Sequence, residues 1–250
     1  MLSKQAGDTK RKSLHGHWSS RMAFILAVTG SAVGLGNIWK FPYIDGQNGG
    51  GAFVLVYLAC VLLIGMPVMM SEILIGRRGR RNPVATMKLL GREEGSSGRW
   101  GWVGGMGVVA GILILSYYSV IAGWTLAYIV KSATGAFAGA TPDVVSAEFG
   151  GFVGDWRQVG LTHTIFMALA IFVVARGVER GLEQAVRFMV PALLVLMIVL
   201  LLYSINSGYF GQGVSFMFTP DFDKLTWGSV LAALGQAFFT LSIGMGAVMA

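Results

Sequence analysis

Crossing the hydrocarbon of a bilayer takes a helix of about 20 mostly apolar residues, because every backbone N–H and C=O has to be satisfied inside the segment. This chain offers six such runs, at residues 21–43, 53–75, 100–130, 161–175, 188–205 and 227–250, separated by polar or charged segments. The fourth is shorter than the rest, which leaves a tilted or interfacial segment open for it. Charged residues make up only 12% of the chain, about half the roughly 25% of a soluble domain. The pattern therefore predicts an all-α integral membrane protein and excludes a water-soluble or disordered one. The 36 glycines fit helices in lipid better than helices in water. The single cysteine, Cys60, sits inside the second run, so neither a disulfide framework nor a cysteine metal cluster can form. Some twenty polar residues precede the first run, and no small-residue cleavage site follows a short apolar core. A removable signal peptide is not expected.

The charges choose the orientation. Lys4, Lys10, Arg11, Lys12 and Arg21 precede or open the first run. Arg77, Arg78, Arg80, Arg81, Lys88, Arg92 and Arg99 lie between the second and third, and Arg176, Arg180 and Arg187 between the fourth and fifth. With six alternating spans these segments share one side, while the other holds only Lys131, Arg157 and Lys224, with Lys40 inside the outer end of the first span. Such a bias predicts a cytoplasmic N-terminus in a plasma membrane, a bacterial inner membrane. It also disfavours nucleic acid as a partner, despite the net charge of +7, because the basic residues follow the bilayer rather than one solvent face. The expected organisation is a cytoplasmic segment 1–20, five spanning helices within 21–205, an outer loop 206–226, and a sixth helix 227–250. Residues 132–160 read as a loop with at most one short helix. The turn Thr219-Pro220-Asp221 puts a helix cap at Asp223 or Thr226. The last run stops at Ala250 with no charged flank, so the chain is expected to be part of a longer protein.

Two of the runs are interrupted. The first contains Gly30-Ser31-Ala32-Val33-Gly34-Leu35-Gly36-Asn37 near its middle, where each glycine costs about 1 kcal/mol relative to alanine in a helix. Close helix packing through Gly30 and Gly34, four apart, is one reading. It leaves out Asn37, a carboxamide that needs partners for its donors and acceptor, and an unwound segment coordinating a cation would supply them. The sixth run contains Phe239-Thr240-Leu241-Ser242-Ile243-Gly244-Met245-Gly246. Irregular backbone at bilayer depth survives only where it is buried in protein or lines a cavity. Paired glycine-interrupted spans point to a transporter binding site.

The segments GSAVGLGNIWKFPY, NGGGAFVLVY, IGMPVMMSEILIGR, SYYSVIAGW and GQAFFTLSIGMG resemble the neurotransmitter:sodium symporter family, the LeuT-type transporters, with a dense match from Trp18 to Ala250. The resemblance implies a LeuT-type helical bundle: the first five-helix repeat plus the start of the sixth helix, with helices 1 and 6 unwound in mid-membrane. It implies one sodium held by Ala32, Asn37 and Thr240, and a second by the carbonyls of Gly30 and Val33, with further ligands beyond this chain. A substrate pocket follows from Ser31, Ala32, Leu35 and Gly36 of helix 1, Ile114 and Tyr118 of helix 3, and Phe239, Thr240, Ser242 and Met245 of helix 6. Tyr118 lies too deep for the aromatic belt, and its hydroxyl looks to either a substrate carboxylate or a neighbouring helix. Tyr57 and Gln236 match positions near the family's chloride site, but these residues alone do not decide chloride dependence. Glu72 is placed either to snorkel toward Arg77 or to act in coupling.

The gate residues depart from the family pattern. His15 stands where an arginine usually precedes Trp18, so that gate is expected to be weaker or pH-sensitive. Lys40 replaces the outer gate arginine and loses its bidentate fork. Glycine at position 34, where monoamine carriers place an aspartate, implies a cargo that brings its own carboxylate.

The function expected is sodium-coupled symport of amino acids or related zwitterions, with Na+ as the co-transported ion, the lipid bilayer as surroundings and a missing C-terminal half. The fragment alone is expected to insert but not to transport. An enzyme is not expected: the chain has no His-Glu-x-x-His, no Gly-x-Ser-x-Gly and no paired mid-membrane carboxylates, and His163 stands alone. The rival reading is a half-size channel or scaffold working as an oligomer, such as an antiparallel homodimer of dual-topology chains. The charge bias argues against it.

Overall fold

A computed structural model describes residues 19–247 and 249; the gate candidates His15 and Trp18 lie outside these. The described residues are helical, with one isolated bridge between Gly50 and Pro220, and they fold as two compact units. The first joins residues up to 108 with those from 183 onward, and the second comprises 109–182.

In the first unit, α1 (Arg21–Ala32) starts where Ser20 Oγ accepts the Ala23 N–H at 3.1 Å. It stops at Val33, whose ψ of 93° is extended. A wide helical turn, Gly36–Lys40, leads into α2 (Phe41–Gln47), and the two arms meet at 43°. Next come α3 (Gly51–Cys60) and α4 (Met66–Gly79), joined by another widened turn, Val61–Gly65. Pro67 explains that widening, since it has no N–H to donate and its ring crowds the carbonyl one turn earlier. The pair still makes one apolar rod, Gly51–Gly79. A short α5 (Pro83–Glu93), capped by Asn82 Oδ1 on the Ala85 N–H at 2.9 Å, precedes α6 (Gly101–Ala133).

In the second unit, α6 continues and is followed by α7 (Pro142–Gly154) and α8 (Trp156–Ala175). Asp155 caps α8 by accepting from the N–H groups of Arg157 and Gln158. Its carboxyl is held below the ordinary carboxylate range, chiefly by the Gln158 side chain and then by the Arg157 N–H. The cap is therefore fully effective above that range and is lost as pH falls through the lowered value.

Returning to the first unit, α9 (Gln184–Asn206), α10 (Phe210–Phe218) and α11 (Trp227–Leu241) complete the chain. Thr226 caps α11, its Oγ1 accepting the Ser229 N–H at 3.2 Å while Ser229 Oγ accepts the Thr226 N–H at 3.1 Å. This reciprocal cap settles the choice between Asp223 and Thr226. Replacing Thr226 by Ala is expected to cost about 0.5–2 kcal/mol, read as a lower thermal midpoint of the detergent-purified protein.

Among the described residues four helices are long and apolar enough to cross a membrane, five if the bent pair α1 plus α2 counts as one span; Trp227–Leu241 is a shorter apolar helix. Two segments differ from the loops expected of them: α5 occupies the basic connection 77–99, and α10 lies within 206–226. α7 is the one short helix that 132–160 allowed. Short helices too brief to span were hidden by the bilayer-length runs used to parse the chain. The fourth run also starts earlier, at Trp156, because the Asp155 cap nucleates it, so Trp156–Ala175 reaches full spanning length. In its most apolar window no residue is buried, which leaves that surface to lipid or to further helices.

The tightest packing in the first unit sets α3 against α11, where Ala52, Phe53, Ala233 and Ala237 have no exposure. The run Gly49-Gly50-Gly51 before α3 is required by a close approach of backbone. A Cβ on Gly51 would stand 2.2 Å from the Phe218 carbonyl oxygen. Gly50 has φ +55°, and its Cβ would meet the carbonyls of Phe216 and Thr219 at 2.9 Å.

Candidate functional site

The breaks in α1 and at the end of α11 face each other. At the first, Val33 donates its N–H to Thr29 O at 2.8 Å, and the chain then restarts with Asn37 N–H and Ile38 N–H on Gly34 O at 3.0 and 3.2 Å. The turn throws the Asn37 side chain back along the helix, where Nδ2 donates to Ala32 O at 2.5 Å. At the second, α11 ends at Ser242, a non-glycine residue with φ +53°, and Gly244 and Gly246 continue in positive φ at 84° and 73°. Left-handed steps of this kind cannot propagate a right-handed helix, so of the segment 239–246 the first three residues still belong to α11 and the interruption itself begins at Ser242.

Asn37 joins the two breaks. Its Oδ1 accepts from Thr240 Oγ1 at 3.0 Å and from Gln236 Nε2 at 3.3 Å, bonds that reach 203 and 199 residues along the chain. Ala32 O, Asn37 and Thr240 Oγ1 thus form one connected cluster of neutral polar groups in a half-buried setting. Neutral oxygens of this kind, in an otherwise apolar surrounding, suit a hard monovalent cation. Ser242 Oγ donates to Ser31 O at 3.4 Å, adding a second link between the breaks.

Gly36 and Phe239 form the packed wall beside this cluster: Gly36 is buried, and a Cβ on it would lie 2.6 Å from the Phe239 ring. Gly30 behaves as the packing reading predicts, its Cβ position 2.6 Å from Val190 Cγ2 of α9. Leu35 is half-buried at the start of the wide turn. Met245 has its backbone against Gly107 of α6, whose Cβ would come 3.1 Å from the Met245 carbonyl carbon. Ile114 and Tyr118 belong to the second unit, one turn apart on one face of α6; the Tyr118 ring lies edge-on to Tyr117 at 6.2 Å.

Of the chloride-region pair, Gln236 is drawn into the Asn37 cluster, while the Tyr57 ring packs on Phe41 with centroids 4.9 Å apart. Lys40 is exposed at the end of the wide turn. Among the described residues no group of three His, Cys, Asp or Glu side chains converges as a metal site.

Glu72 enters the site although sequence reasoning left its role open. It is buried, and Oε1 accepts the Gly244 N–H at 2.6 Å, capturing a backbone donor freed by the break after α11. The side chain turns inward rather than snorkelling. A second contact had no sequence signal. Ser19 donates its N–H to Glu183 Oε2 at 3.0 Å and also bonds it through Oγ, while Arg187 stands 3.5 Å from the same carboxylate.

Residues 15–147 and 151–250 match the sodium:neurotransmitter symporter family. The chain is 43% identical over 228 residues to the sodium-dependent transporter YhdH of Bacillus subtilis, covering 91% of this chain and 50% of that one. A mouse sodium-dependent neutral amino acid transporter is 29% identical, with 93% of this chain and 35% of the relative covered. The crystal structure of MhsT in complex with L-phenylalanine superimposes with a TM-score of 0.84 at 44% identity, over 94% of this chain and 53% of MhsT. The chain spans about half the length of YhdH and of MhsT.

Proposed function

The chain belongs to the sodium:neurotransmitter symporter family, a family of multi-pass membrane transporters, and from that membership we propose that it supplies one ion- and substrate-binding wall of a sodium-coupled symporter of neutral amino acids. The observation that carries this reading is the Asn37 carboxamide, which bonds Ala32 O, Thr240 Oγ1 and Gln236 Nε2 across two helix breaks. One sodium takes Ala32 O, Asn37 Oδ1 and Thr240; a second takes the carbonyls of Gly30 and Val33, with the rest of both coordination shells supplied from outside this chain. The relatives named as neutral amino acid transporters and the L-phenylalanine in MhsT support the cargo class. So does Gly34, which leaves that position of the helix 1 break without a carboxylate to repel that of the substrate. In this reading Ser31, Ala32, Leu35, Gly36, Phe239, Thr240, Ser242 and Met245 of the first unit contact the substrate. Lys40, with His15 and Trp18, belongs to the gates, and the N-terminus is cytoplasmic.

Glu72 holds the unwound end of α11 through Gly244, so the break keeps its shape as ions come and go.

Uptake of labelled amino acids into proteoliposomes by the full-length protein tests the proposal. The expected result is saturable accumulation that requires an inward sodium gradient, with neutral amino acids competing and their decarboxylated amines not. Gly34→Asp is expected to abolish competition by zwitterions. Amines competing as well as the parent amino acids would overturn the cargo assignment, and uptake indifferent to sodium would overturn the coupling.

A further inference from the structure

Where the rod Gly51–Gly79 ends and α6 begins, the first unit holds a cavity of about 470 Å³, within the roughly 300–1,000 Å³ of small-molecule sites. Leu74 and Ile75 of α4, Met87 and Leu90 of α5, and Trp100 at the start of the next span form its apolar walls. The walls are held by specific contacts. A Cβ on Gly91 would lie 2.8 Å from Trp100 Cδ1, so glycine there lets the indole close in, and Trp100 Nε1 donates to Ser96 Oγ at 2.9 Å. The indole thus has its polar edge satisfied while its ring lines the cavity, as suits a tryptophan at a membrane interface. At the rim Arg78 Nη2 meets Glu94 Oε1 at 2.5 Å and Glu93 Oε2 at 3.8 Å. Even with these two carboxylates, residues 77–100 carry seven basic side chains, Arg77, Arg78, Arg80, Arg81, Lys88, Arg92 and Arg99.

We propose that this cavity binds one molecule of anionic phospholipid from the surrounding bilayer, an acyl chain between Leu74, Met87 and Trp100 and the headgroup phosphate at the rim beside Arg78, in the field of the other basic side chains of 77–99, Lys88 among them. A water-borne ligand does not fit as well: the walls are apolar, and the cavity lies at the membrane boundary of two spanning helices, where lipid chains are the most concentrated apolar solute. The surplus positive charge selects anionic over zwitterionic headgroups. The inference rests on the spanning reading of Gly51–Gly79 and Gly98–Ala133 and not on transport, so failure of sodium-driven uptake leaves it standing.

Native mass spectrometry of the detergent-purified protein, titrated with phosphatidylglycerol or phosphatidylcholine of identical chains, tests it. One phosphatidylglycerol is expected to bind about tenfold better than phosphatidylcholine, less so at high salt. Met87→Trp fills the cavity and is expected to abolish retention of both lipids. Arg78→Gln with Lys88→Gln is expected to erase the headgroup preference, at about fivefold per charge removed, and Glu94→Gln to strengthen it. An excess of inorganic phosphate is expected to leave the lipid bound. Equal retention of the two lipids, unchanged binding in a folded Met87→Trp variant, or displacement by phosphate would each overturn the proposal. Should Met87→Trp lose its helical circular dichroism, a diazirine-bearing phosphatidylglycerol decides with the unmodified protein. Labelling at Leu74, Met87 or Trp100 supports the site, and labelling elsewhere, or cross-linking of two copies through this face, rejects it.

Discussion

Asn37→Ala in the full-length protein is expected to raise the sodium concentration that half-saturates substrate binding by at least about tenfold, and Thr240→Ala by a similar factor. Each removes an oxygen from a half-buried cluster, and a hydrogen bond to a charged group contributes about 1.5–3 kcal/mol, which is a factor of ten or more. The two changes are not additive, because Asn37 Oδ1 and Thr240 Oγ1 are bonded to each other at 3.0 Å. Asn37→Asp keeps the oxygen and serves as the conservative variant, expected to retain sodium dependence. Gln236→Ala separates ligation from mere packing. Gln236 also bonds Asn37 Oδ1, at 3.3 Å, but is assigned no sodium contact, so its loss is expected to shift the midpoint less than threefold. Sodium titrations of labelled substrate binding check all four, and unchanged midpoints for both alanine variants would remove the site.

Gly51→Val is expected to lose most folded protein. Its Cβ would fall 2.2 Å from the Phe218 carbonyl oxygen and 2.8 Å from the Phe218 carbonyl carbon, and backbone cannot swing aside as a flexible side chain can. Overpacking in a close-packed region costs about 1–3 kcal/mol when side chains yield, so a clash with backbone belongs at or above the top of that range. The contact also holds Gly51 N–H on Thr219 O at 3.2 Å and Asp221 N–H on Gly49 O at 3.0 Å. The same valine would therefore strip two hydrogen bonds that dock the segment after α10 onto the start of α3. Size-exclusion profiles and thermal melts of the detergent-purified variant report the loss. Gly211→Val, where a Cβ meets nothing within 4 Å, is the control expected to behave as the wild type. A well-folded Gly51→Val would mean that the loop can retreat at little cost.

Much of the architecture was legible because bilayer physics is read one segment at a time. A run of about 20 apolar residues satisfies its own backbone, so the long spans needed no knowledge of one another. The two breaks were equally local. Glycines and a carboxamide in an apolar run contradict helix propensity wherever they occur, and both interruptions stand where Gly34 and Ser242 to Gly246 put them. The short helices α5 and α10 escaped because a helix of some ten residues has no bilayer-length signature and depends on caps such as Asn82 and on packing.

By itself, then, the sequence determined the lipid environment, the spans and the positions where helices must fail, all consequences of chemistry within a single segment. Only the tertiary structure decided what the failures are for. Asn37 meets Thr240 across 203 residues, Glu72 turns from the basic loop to take the Gly244 N–H, and Phe239 closes on Gly36. A freed carbonyl, hydroxyl or carboxylate has many potential partners, and the one it takes depends on which helices pack together. That choice is made by surfaces far apart in the chain, such as Ala52 and Phe53 against Ala233 and Ala237, and no local pattern encodes it.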